Sequence, residues 1–345
     1  MPPATGFDSD VIVAGGGPVG LAAAIEARLA GLSAVVVEPR AGEIDKACGE
    51  GLMPGALPLL QRLGVDPAGM PLRGVSYRTT GRHADHRFVS GAGRGVRRIE
   101  LQSALHSRAV ELGVSFVDGK VGSIAQDPSS VTAAGMRARW LFGCDGLHST
   151  VRREIGVQLE APRRGRRFGV RQHFAVEPWT DLIEVHWSGG VEAYVTPVAP
   201  DTVGIAMLGG RGIDFRRALA GIPELAFLLD EAPASALRGA GPLRQRTSRR
   251  HRGRVLLVGD ASGYVDAITG EGLRLGFAQA RAAVTAVAQG RPGQYEEEWT
   301  RITRDFRVLT SGLVLAARSP LRPAIVPIAG RLPRVYGAAV ERLAK

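Results

Sequence analysis

A glycine turn between two short apolar strands constrains this chain more than any other feature of its 345 residues. Residues 10–14 are rich in β-branched side chains, which is typical of a buried strand. The turn at residues 15–20 follows, and an alanine-rich helix is predicted at residues 21–29, ending at Gly31. A second apolar strand is predicted at residues 34–38. Such a strand–turn–helix–strand unit has parallel strands and a right-handed connection.

The spacing of the glycines in this turn predicts a dinucleotide site. In Gly-x-Gly-x-x-Gly, the first glycine permits a tight turn, the second admits a pyrophosphate, and the third lets the helix pack on the strand. The helix N-terminus then offers free N–H groups and a positive dipole end to phosphates. Glu38, with Arg40 close by, ends the second strand, where an acid accepts a hydrogen bond from a ribose hydroxyl; this favours FAD or NAD over NADP. The positions predicted to contact the cofactor in the turn are Gly15, Gly17, Pro18, Val19 and Gly20.

Two later glycine-rich strings also follow predicted strands. The string at residues 259–263 contains Asp260, and an acid at such a strand end can bind a polyol hydroxyl. Gly270-Glu271-Gly272 opens a helix predicted at residues 272–289, whose N–H groups could hold the electron-rich edge of a reduced flavin. The string at residues 142–146 ends in Asp145-Gly146. Taken alone, the strings at residues 259–263 and 142–146 are also ordinary turns with a helix N-cap.

The order of elements predicts an α/β protein with an all-β insertion. Helices are also expected at residues 52–63 and 100–112, and antiparallel strands at 168–176, 183–187, 191–196 and 202–208. We therefore predict a discontinuous Rossmann-type nucleotide-binding domain at residues 1–71, 96–160 and 246–293. A mainly antiparallel substrate domain is predicted at 72–95 and 161–245, and a helical C-terminal tail at 294–345.

Composition excludes several protein classes. The two cysteines, Cys48 and Cys144, exclude a disulfide scaffold and fit a reducing, cytoplasmic location. No Cys/His cluster has the spacing of a zinc site, so no metal is expected. We find no signal peptide at the N-terminus and no apolar run long enough to span a membrane. The net charge of +11 comes from arginine, since lysine occurs only at positions 46, 120 and 345; we expect most of it on the solvated surface and no nucleic-acid partner.

The order of the three motifs resembles the glutathione-reductase-type FAD fold of the para-hydroxybenzoate hydroxylase superfamily, over about residues 8–290. This resemblance implies FAD as the cofactor and NAD(P)H as the electron donor. It implies that Glu38 binds the adenosine ribose and that Arg98, in Arg98-x-x-Leu101-x-x-x-Leu105, reaches the flavin side. The further FAD contacts implied by the resemblance are Cys48, Gly49, Gln102, Asp145, Gly146, Gly259, Asp260, Gly270, Gly272 and Leu273.

Within the superfamily, two strings are similar to the geranylgeranyl reductase branch. One is the spacing from Gly259 to Gly272, and the other is the loop Ala47-Cys48-Gly49-Glu50-Gly51-Leu52. The sequence departs from that branch where Ala267 replaces a usual proline. It also departs at residues 193–197, which keep little of the aromatic signature that holds isoprenoid chains. The resemblance to that branch therefore does not imply a long isoprenoid substrate for this chain.

Several functions remain open on the sequence. The leading hypothesis is an FAD-dependent monooxygenase acting on a hydrophobic, aromatic or polyketide-like small molecule. The alternative is a flavin C=C reductase with Cys48 near its site, although Cys48 is equally explained as a small residue in a tight loop. A flavin halogenase needs a lysine between flavin and substrate, and only Lys46 or Lys120 could serve. A non-enzymatic FAD redox module would have little need for the β insertion.

Substrate contacts and partners are predicted from the β insertion and the tail. His173 and Tyr194 are candidates for polar substrate contacts, if one face of that sheet covers the active site. The arginine clusters at residues 163–167 and 249–252 could attract NADPH phosphates or lie on the solvated surface. The proline-broken segment at residues 312–330 could cover the substrate cavity, lie on an anionic membrane or pack on the FAD domain. The sequence gives no indication of the oligomeric state.

Overall fold

The computed structural model describes residues 6–42, 44–162 and 164–345. Arg163, in the first predicted arginine cluster, lies outside the described residues. The strands, numbered along the chain, are β1 Ser9–Ala14, β2 Ala34–Glu38, β3 Gly51–Leu52, β4 Met70–Leu72, β5 Gly74–Thr79, β6 Arg82–Arg87, β7 Gly93–Gly95, β8 Ser115–Asp118, β9 Ile124–Gln126, β10 Val131–Ala133, β11 Met136–Gly143, β12 Gln158–Leu159, β13 Phe168–Phe174, β14 Ile183–Ser188, β15 Val191–Ala199, β16 Thr202–Gly209, β17 Arg238–Ala240, β18 Arg246–Thr247, β19 His251–Arg252 and β20 Val255–Leu257.

Helices surround these strands. The α-helices are α1 Pro18–Leu29, α2 Leu57–Arg62, α3 Arg98–Glu111, α4 Thr150–Glu154, α5 Phe215–Ala220, α6 Gly272–Ala288, α7 Gln294–Ala317, α8 Ile325–Arg331 and α9 Pro333–Ala344. Short 3-10 helices cover Pro54–Ala56, Pro223–Leu229, Gly259–Ser262 and Arg322–Ala324. In the ranges that the structure describes, no helix has the length and apolar content needed to cross a membrane.

The first sheet is the predicted Rossmann-like sheet. Its order is β19-β20-β11-β1-β2-β8, and the pairs from β20 to β8 are parallel. β1 is completely buried because both faces of the sheet are covered; Val11, Ile12 and Val13 are 0% exposed. The carboxyl ends of β1, β2, β11 and β20 lie at one edge of the sheet, where an open α/β sheet binds its ligand.

The second large sheet has the order β17-β13-β16-β15-β14-β5-β6 and is mainly antiparallel. Its four central strands fall on the four predicted antiparallel strands. β15 extends past its predicted end at residue 196, because an irregularity between Pro197 and Ala199 lets the strand accommodate a proline. One pair is parallel: β5 lies beside β14, with Val75 opposite Ile183. These locations support the predicted domain limits, which we retain as a proposal.

The helix predicted at residues 52–63 is wrong in its first half. Gly51–Leu52 forms β3, which pairs with β7, and the α-helix covers only Leu57–Arg62. Pro54 begins a separate 3-10 turn because its fixed φ and missing N–H suit the first turn of a helix and not its interior.

The C-terminal helices form a layer against the second sheet. Ala317 of α7, Val326 of α8 and Tyr336 of α9 share one core with Val75 of β5 and Ala84 of β6. Pro333 begins α9 as its first residue, so this proline starts a helix as well as ending the preceding one. The start of α7 packs elsewhere, because Tyr295 and Trp299 belong to the core of the first sheet together with Phe277 of α6. The tail therefore contacts both large sheets, and packing on the FAD domain, one of the alternatives from the sequence, applies to its first part.

Candidate active site

A single large cleft of about 940 Å³ runs from the carboxyl edge of the Rossmann-like sheet to the second sheet. Most predicted site residues lie on its wall, and Gly20, Gln102 and His173 lie behind it. The predicted residues that line it are Gly15, Gly17, Pro18, Val19, Glu38, Arg40, Cys48, Gly49, Arg98, Asp145, Gly146, Tyr194, Gly259, Asp260, Gly270, Gly272 and Leu273.

The glycine turn after β1 is shaped by close backbone packing. Gly15 has φ of +104°, and a Cβ atom there would lie 2.7 Å from the carbonyl oxygen of Cys144. A Cβ atom on Gly20 would collide with the carbonyl oxygen of Gly15. Gln102 supports the turn from behind, since its Nε2 donates a hydrogen bond to the carbonyl oxygen of Gly16 at 2.6 Å. Gly20 and Gln102 thus shape the turn without facing the cleft.

Glu38 is fixed at the end of β2. Its carboxylate accepts hydrogen bonds from Gly16 N at 2.8 Å and from Arg40 Nε at 2.6 Å. Burial raises the pKa of Glu38, but the hydrogen bonds from Arg40 and Gly16 outweigh burial, so the pKa lies below its usual value. The side chain is therefore an ionised acceptor, which suits the hydroxyl groups of a ribose.

Two cations face the middle of the cleft. The side chains of Lys46 and Arg98 form no hydrogen bond or ion pair with a described residue, and Arg98 Nε is buried without a partner. Burial lowers the pKa of Lys46, and the charges of Arg40 and Arg98 lower it further. Crowded cations of this kind are stabilised by an anionic ligand. Lys46 was not among the predicted FAD contacts, although a lysine in the loop before Cys48 was a visible signal.

Two acids and a helix end complete the cofactor side of the cleft. Asp145 Oδ2 accepts hydrogen bonds from Thr150 N at 2.6 Å and Val151 N at 3.1 Å, which caps α4. Its Oδ1 is buried without a partner among the described residues. Burial raises the pKa of Asp260, and the nearby charges of Arg98 and others oppose that effect. Gly272, the first residue of α6, lines the cleft, so the helix N-terminus is available to a ligand.

The loop that carries Cys48 is attached to the second sheet by Glu50. Glu50 is buried and has φ of +59°, a left-handed conformation that is unusual for a residue other than glycine. Its Oε2 lies 2.6 Å from Nε2 of His173, and its Oε1 accepts a hydrogen bond from Arg98 N at 2.8 Å. Thr196 Oγ1 donates to the carbonyl oxygen of Gly49 at 2.8 Å. The side-chain contacts of Glu50 thus compensate for the strained backbone.

The start of the same loop is attached by Asp45, which the sequence analysis missed. Asp45 pairs closely with Arg171, and Arg238 Nε lies 3.1 Å from its other oxygen. Burial raises the pKa of Asp45, but hydrogen bonds from Arg238 and Arg171 outweigh burial, so the pKa lies below its usual value. Arg171 and His173 alternate along β13 and so point to one face of the sheet. This alternation was the available sequence signal.

His173 is not on the cleft wall, contrary to its predicted role as a direct substrate contact. It is 2% exposed, and its Nδ1 lies 3.0 Å from Oγ of Ser235. Both ring nitrogens therefore have protein partners. The placement supports a role in holding Glu50.

Cys48 lies on the cleft wall, where its Sγ accepts a hydrogen bond from Glu50 N at 3.4 Å. Cys144 follows β11, and burial raises the pKa of its thiol. Cys144 is therefore a neutral thiol packed against the glycine turn. Cys48 is the more accessible of the two.

The far end of the cleft is mostly apolar. Its wall includes Val75, Ile183, Val185, Leu208, Leu243, Ile268, Val340 and Leu343. Tyr194 lines this end, but its hydroxyl donates a hydrogen bond to the carbonyl oxygen of Ile268 at 2.7 Å. Tyr77, which the sequence analysis did not name, also lines it and packs between Trp187 and Tyr336, with ring centroids 5.5 and 5.0 Å away. The hydroxyl of Tyr77 has no hydrogen-bond partner among the described residues.

A buried ionic network supports the segment before α6. Arg167 is buried, and it pairs with Glu192 at 2.5 Å and with Asp266 at 2.9 Å. Arg322 of the tail also pairs with Glu192. Arg167 therefore does not belong to a solvated arginine cluster, since two carboxylates draw it into the protein. Burial raises the pKa of Glu271, at the start of α6, to about 7, although Arg274 opposes the effect.

A second, smaller cavity of about 190 Å³ lies across the turn at Gly259 and Asp260. Arg250 and Arg307 both face the ring of Trp299, at 3.7 and 5.2 Å from its centroid. Arg250 is paired with Glu296 at 2.7 Å. In the described residues, no group of three or more His, Cys, Asp or Glu side chains could hold a metal ion.

The residues of the main cleft fit FAD. The glycine turn leaves space for a pyrophosphate, and Lys46 and Arg98, neither of which forms an ion pair with a described residue, supply positive charge. Asp145 Oδ1 and Arg98 Nε are buried polar atoms of residues on the cleft wall and have no partner among the described residues, as expected where a polar ligand completes the site.

Comparison with known proteins agrees with this fit. Residues 8–216 match the family model described as FAD binding domain. The chain is 29% identical over 343 residues to a menaquinone reductase of Mycolicibacterium smegmatis, covering 86% of this chain and 80% of that protein. It is 29% identical over 332 residues to the 12-dehydrotetracycline 5-monooxygenase/anhydrotetracycline 6-monooxygenase of Streptomyces rimosus, covering 79% of this chain but only 61% of that protein. Its structure is similar to that of the Diels-Alderase PyrE3 of pyrroindomycin biosynthesis, with a TM-score of 0.76, 25% identity, and coverage of 97% of this chain and 80% of that one.

Proposed function

Because this chain belongs to the FAD binding domain family, we propose that it is an FAD-dependent monooxygenase acting on a hydrophobic, aromatic or polyketide-like small molecule. The observation that carries the proposal is the continuity of the cleft. Its charged, glycine-lined end fits a dinucleotide, and the same space continues into an apolar end large enough for a small molecule. A non-enzymatic redox module would not need that apolar end.

Each end of the cleft has a defined task in this proposal. The glycine turn, Glu38, Lys46 and Arg98 bind and orient FAD, and the N-terminus of α6 stabilises negative charge on its ring system. Bound FAD, once reduced, supplies the oxygen-activating chemistry. The apolar walls exclude water from the reacting groups. No described residue at the apolar end contributes a carboxylate, so a phenol, which is activated by its own hydroxyl, is the kind of substrate that fits.

We assign reduction of the cofactor to NAD(P)H. The smaller basic cavity supports this assignment, because Arg250 and Arg307 could attract phosphates beside the turn that contains Asp260. Glu296 pairs with Arg250, whereas Arg244, Arg246 and Arg307, which also line this cavity, form no ion pair with a described residue.

A flavin C=C reductase of the geranylgeranyl-reductase-like type is the second candidate. The observation that favours it is the position of Cys48 on the cleft wall. The chain also matches a menaquinone reductase over 80% of its length, a name that specifies a reduction but not the bond that is reduced. A halogenase has less support, because Lys46 lies beside Arg98 and Asp260 on the cofactor side of the cleft.

The decisive experiment measures whether an oxygen atom from dioxygen is incorporated into the product. The purified, FAD-loaded protein is reduced anaerobically with NADH or NADPH, and isotopically labelled dioxygen is then admitted with a panel of phenols, anthraquinones and menaquinones. Mass spectrometry of the products is expected to show one labelled oxygen atom. A saturated product formed without oxygen would establish the reductase, and a product isomeric with its substrate would establish a redox-neutral cyclase. Either result would replace the monooxygenase proposal.

A further inference from the structure

The C-terminal helices carry a concentration of exposed apolar side chains. Val308 and Leu315 on α7 are 67% and 72% exposed, and Val335 on α9 is 64% exposed. Isolated exposed apolar residues are ordinary, but a group of them on adjacent elements marks an interaction surface. We name this group the tail face, and its apolar members are Val308, Leu315, Leu321, Ile328, Leu332 and Val335.

These side chains are exposed to solvent because the opposite sides of the same helices pack in the core. Val308 and Leu315 are seven residues apart and so lie on one side of α7. Ala317, Val326 and Tyr336 pack against the second sheet on the opposite side. The tail face is therefore the outer surface of the helical layer.

The charge of this segment has one sign. From Phe306 to Val340 the sequence contains five arginines and no aspartate or glutamate. Arg322 is used internally by Glu192, but Arg318, Arg331 and Arg334 are exposed and form no ion pair with a described residue. Exposed apolar side chains next to unpaired arginines match the surface of an anionic bilayer, which offers both acyl chains and negative headgroups.

We propose that the tail face docks peripherally on anionic phospholipid membranes. The apolar side chains insert at the boundary between headgroups and acyl chains, and the arginines bind the headgroups. α9 also contributes Val340 and Leu343 to the apolar end of the cleft. Docking would therefore bring that end within about 10 Å of the lipid, one helix diameter. The docking proposal stands on the surface alone and does not depend on the reaction.

Vesicle flotation tests the proposal. The full-length, FAD-loaded protein is mixed with vesicles of phosphatidylcholine alone or of phosphatidylcholine with phosphatidylglycerol, at low and high salt. We expect binding to the anionic vesicles at low salt and weaker binding at high salt. Each basic residue near such a surface multiplies the partition coefficient by about five, so Arg318→Gln with Arg331→Gln is expected to lower it roughly twentyfold. Leu315→Ser is expected to weaken binding at every salt concentration.

Matched variants separate docking from general charge and hydrophobicity. Arg291→Gln removes an exposed arginine outside the tail face, and Val110→Ser removes an apolar side chain that is 53% exposed on α3. Both are expected to bind vesicles as the unchanged protein does. Flavin content and melting temperature are measured for every variant to confirm folding. The proposal is overturned if the anionic vesicles bind no protein, or if the Leu315 and Val110 variants bind equally. It is also overturned if sedimentation shows a dimer that Leu315→Ser dissociates while vesicles remain unbound.

Discussion

The imidazole Nε2 of His173 lies 2.6 Å from the carboxylate Oε2 of Glu50, and both side chains are buried. His173 belongs to the second sheet, and Glu50 belongs to the loop that lines the cofactor side of the cleft. The pair therefore connects the second sheet to the loop that carries Cys48.

Replacing His173 is expected to loosen this loop. His173→Ala leaves Glu50 without one of its buried partners, so the free energy of unfolding should fall by about 2–3 kcal/mol. FAD affinity should fall as well, because Glu50 also holds Arg98 N at 2.8 Å. Denaturant unfolding and flavin titration measure the two effects. His173→Gln keeps a donor and should restore part of both.

A second histidine–glutamate pair, His86 with Glu341, provides a control for the His173 substitution. His86 lies 2.9 Å from Glu341, also between two distant segments, but this pair is partly exposed. His86→Ala should lower the free energy of unfolding by about 1 kcal/mol or less and leave FAD affinity unchanged. Equal effects of both substitutions on FAD affinity would contradict the role that we assign to the Glu50 pair.

Lys46 should contribute directly to cofactor affinity. Lys46→Gln removes a cation that forms no ion pair with a described residue, so the dissociation constant for FAD should rise roughly tenfold or more. The loss should shrink as salt is added, because salt screens the attraction in the unchanged protein. Lys120 lines the same cleft but follows β8, at the end of the strand order β19-β20-β11-β1-β2-β8, so Lys120→Gln should have a smaller effect. Flavin fluorescence quenching checks both, and an unchanged affinity in the Lys46 variant would exclude this contact.

Tyr77 should orient the substrate. Its hydroxyl has no hydrogen-bond partner among the described residues and its ring is held by Trp187 and Tyr336, so a bound substrate can use it. Tyr77→Phe should raise KM about two- to tenfold, the contribution of one neutral hydrogen bond. Tyr194→Phe removes a bond to Ile268 instead and should lower the melting temperature more than it changes KM. Steady-state kinetics with a confirmed substrate measure KM, and identical values for the Tyr77 variant would count against the assignment.

Glu271 should make stability depend on pH. Burial raises its pKa from 4.5 to about 7, so between these values the folded carboxyl is protonated and the unfolded one is ionised. The native state therefore loses stability as pH rises across this interval, by about 3 kcal/mol in total. Glu271→Gln removes this dependence and should gain stability relative to the unchanged protein at about pH 8 but not at about pH 5. Denaturant unfolding at both pH values tests it; a gain of the same size at both would show that Glu271 does not titrate there.

The sequence predicted those parts of the site that are encoded in local strings. The glycine turn, Glu38 and the turn at Asp260 each lie at or just after the end of a strand, so spacing alone predicts their place on the cleft wall. Lys46 was considered only as a halogenase lysine, and Arg171 and Tyr77 were not named, because their positions at the site depend on which segments meet in space. His173 was noticed for its residue type, but only its pairing with Glu50 shows that it lies behind the wall.

Errors in secondary structure have a similar origin. The helix predicted at residues 52–63 begins only at Leu57, because Leu52 belongs to β3 and pairs with Arg94, a residue far along the chain. The sequence places Arg167 in an arginine cluster that could lie on the surface. In the structure it pairs with Glu192 of β15 and with Asp266 before α6, and is buried. The start of this helix and the burial of Arg167 both depend on contacts between residues far apart in the chain. Hydrophobic periodicity does not predict such contacts.

The parallel pairing of β5 with β14 has a consequence for how the protein is made and how it can be divided. Val75 of β5 cannot pair with Ile183 of β14 until β14 has been synthesised. The second sheet therefore forms only after the intervening strands of the first sheet have been synthesised. Early contacts in the nascent chain therefore involve β1, β2, β8 and β11 of the first sheet, which all precede β14. The second sheet is completed by β17, and the first sheet is completed after it by β20. An exchange of substrate specificity with a relative would have to transfer both strands together, since a cut between residues 79 and 183 separates partners that share one sheet.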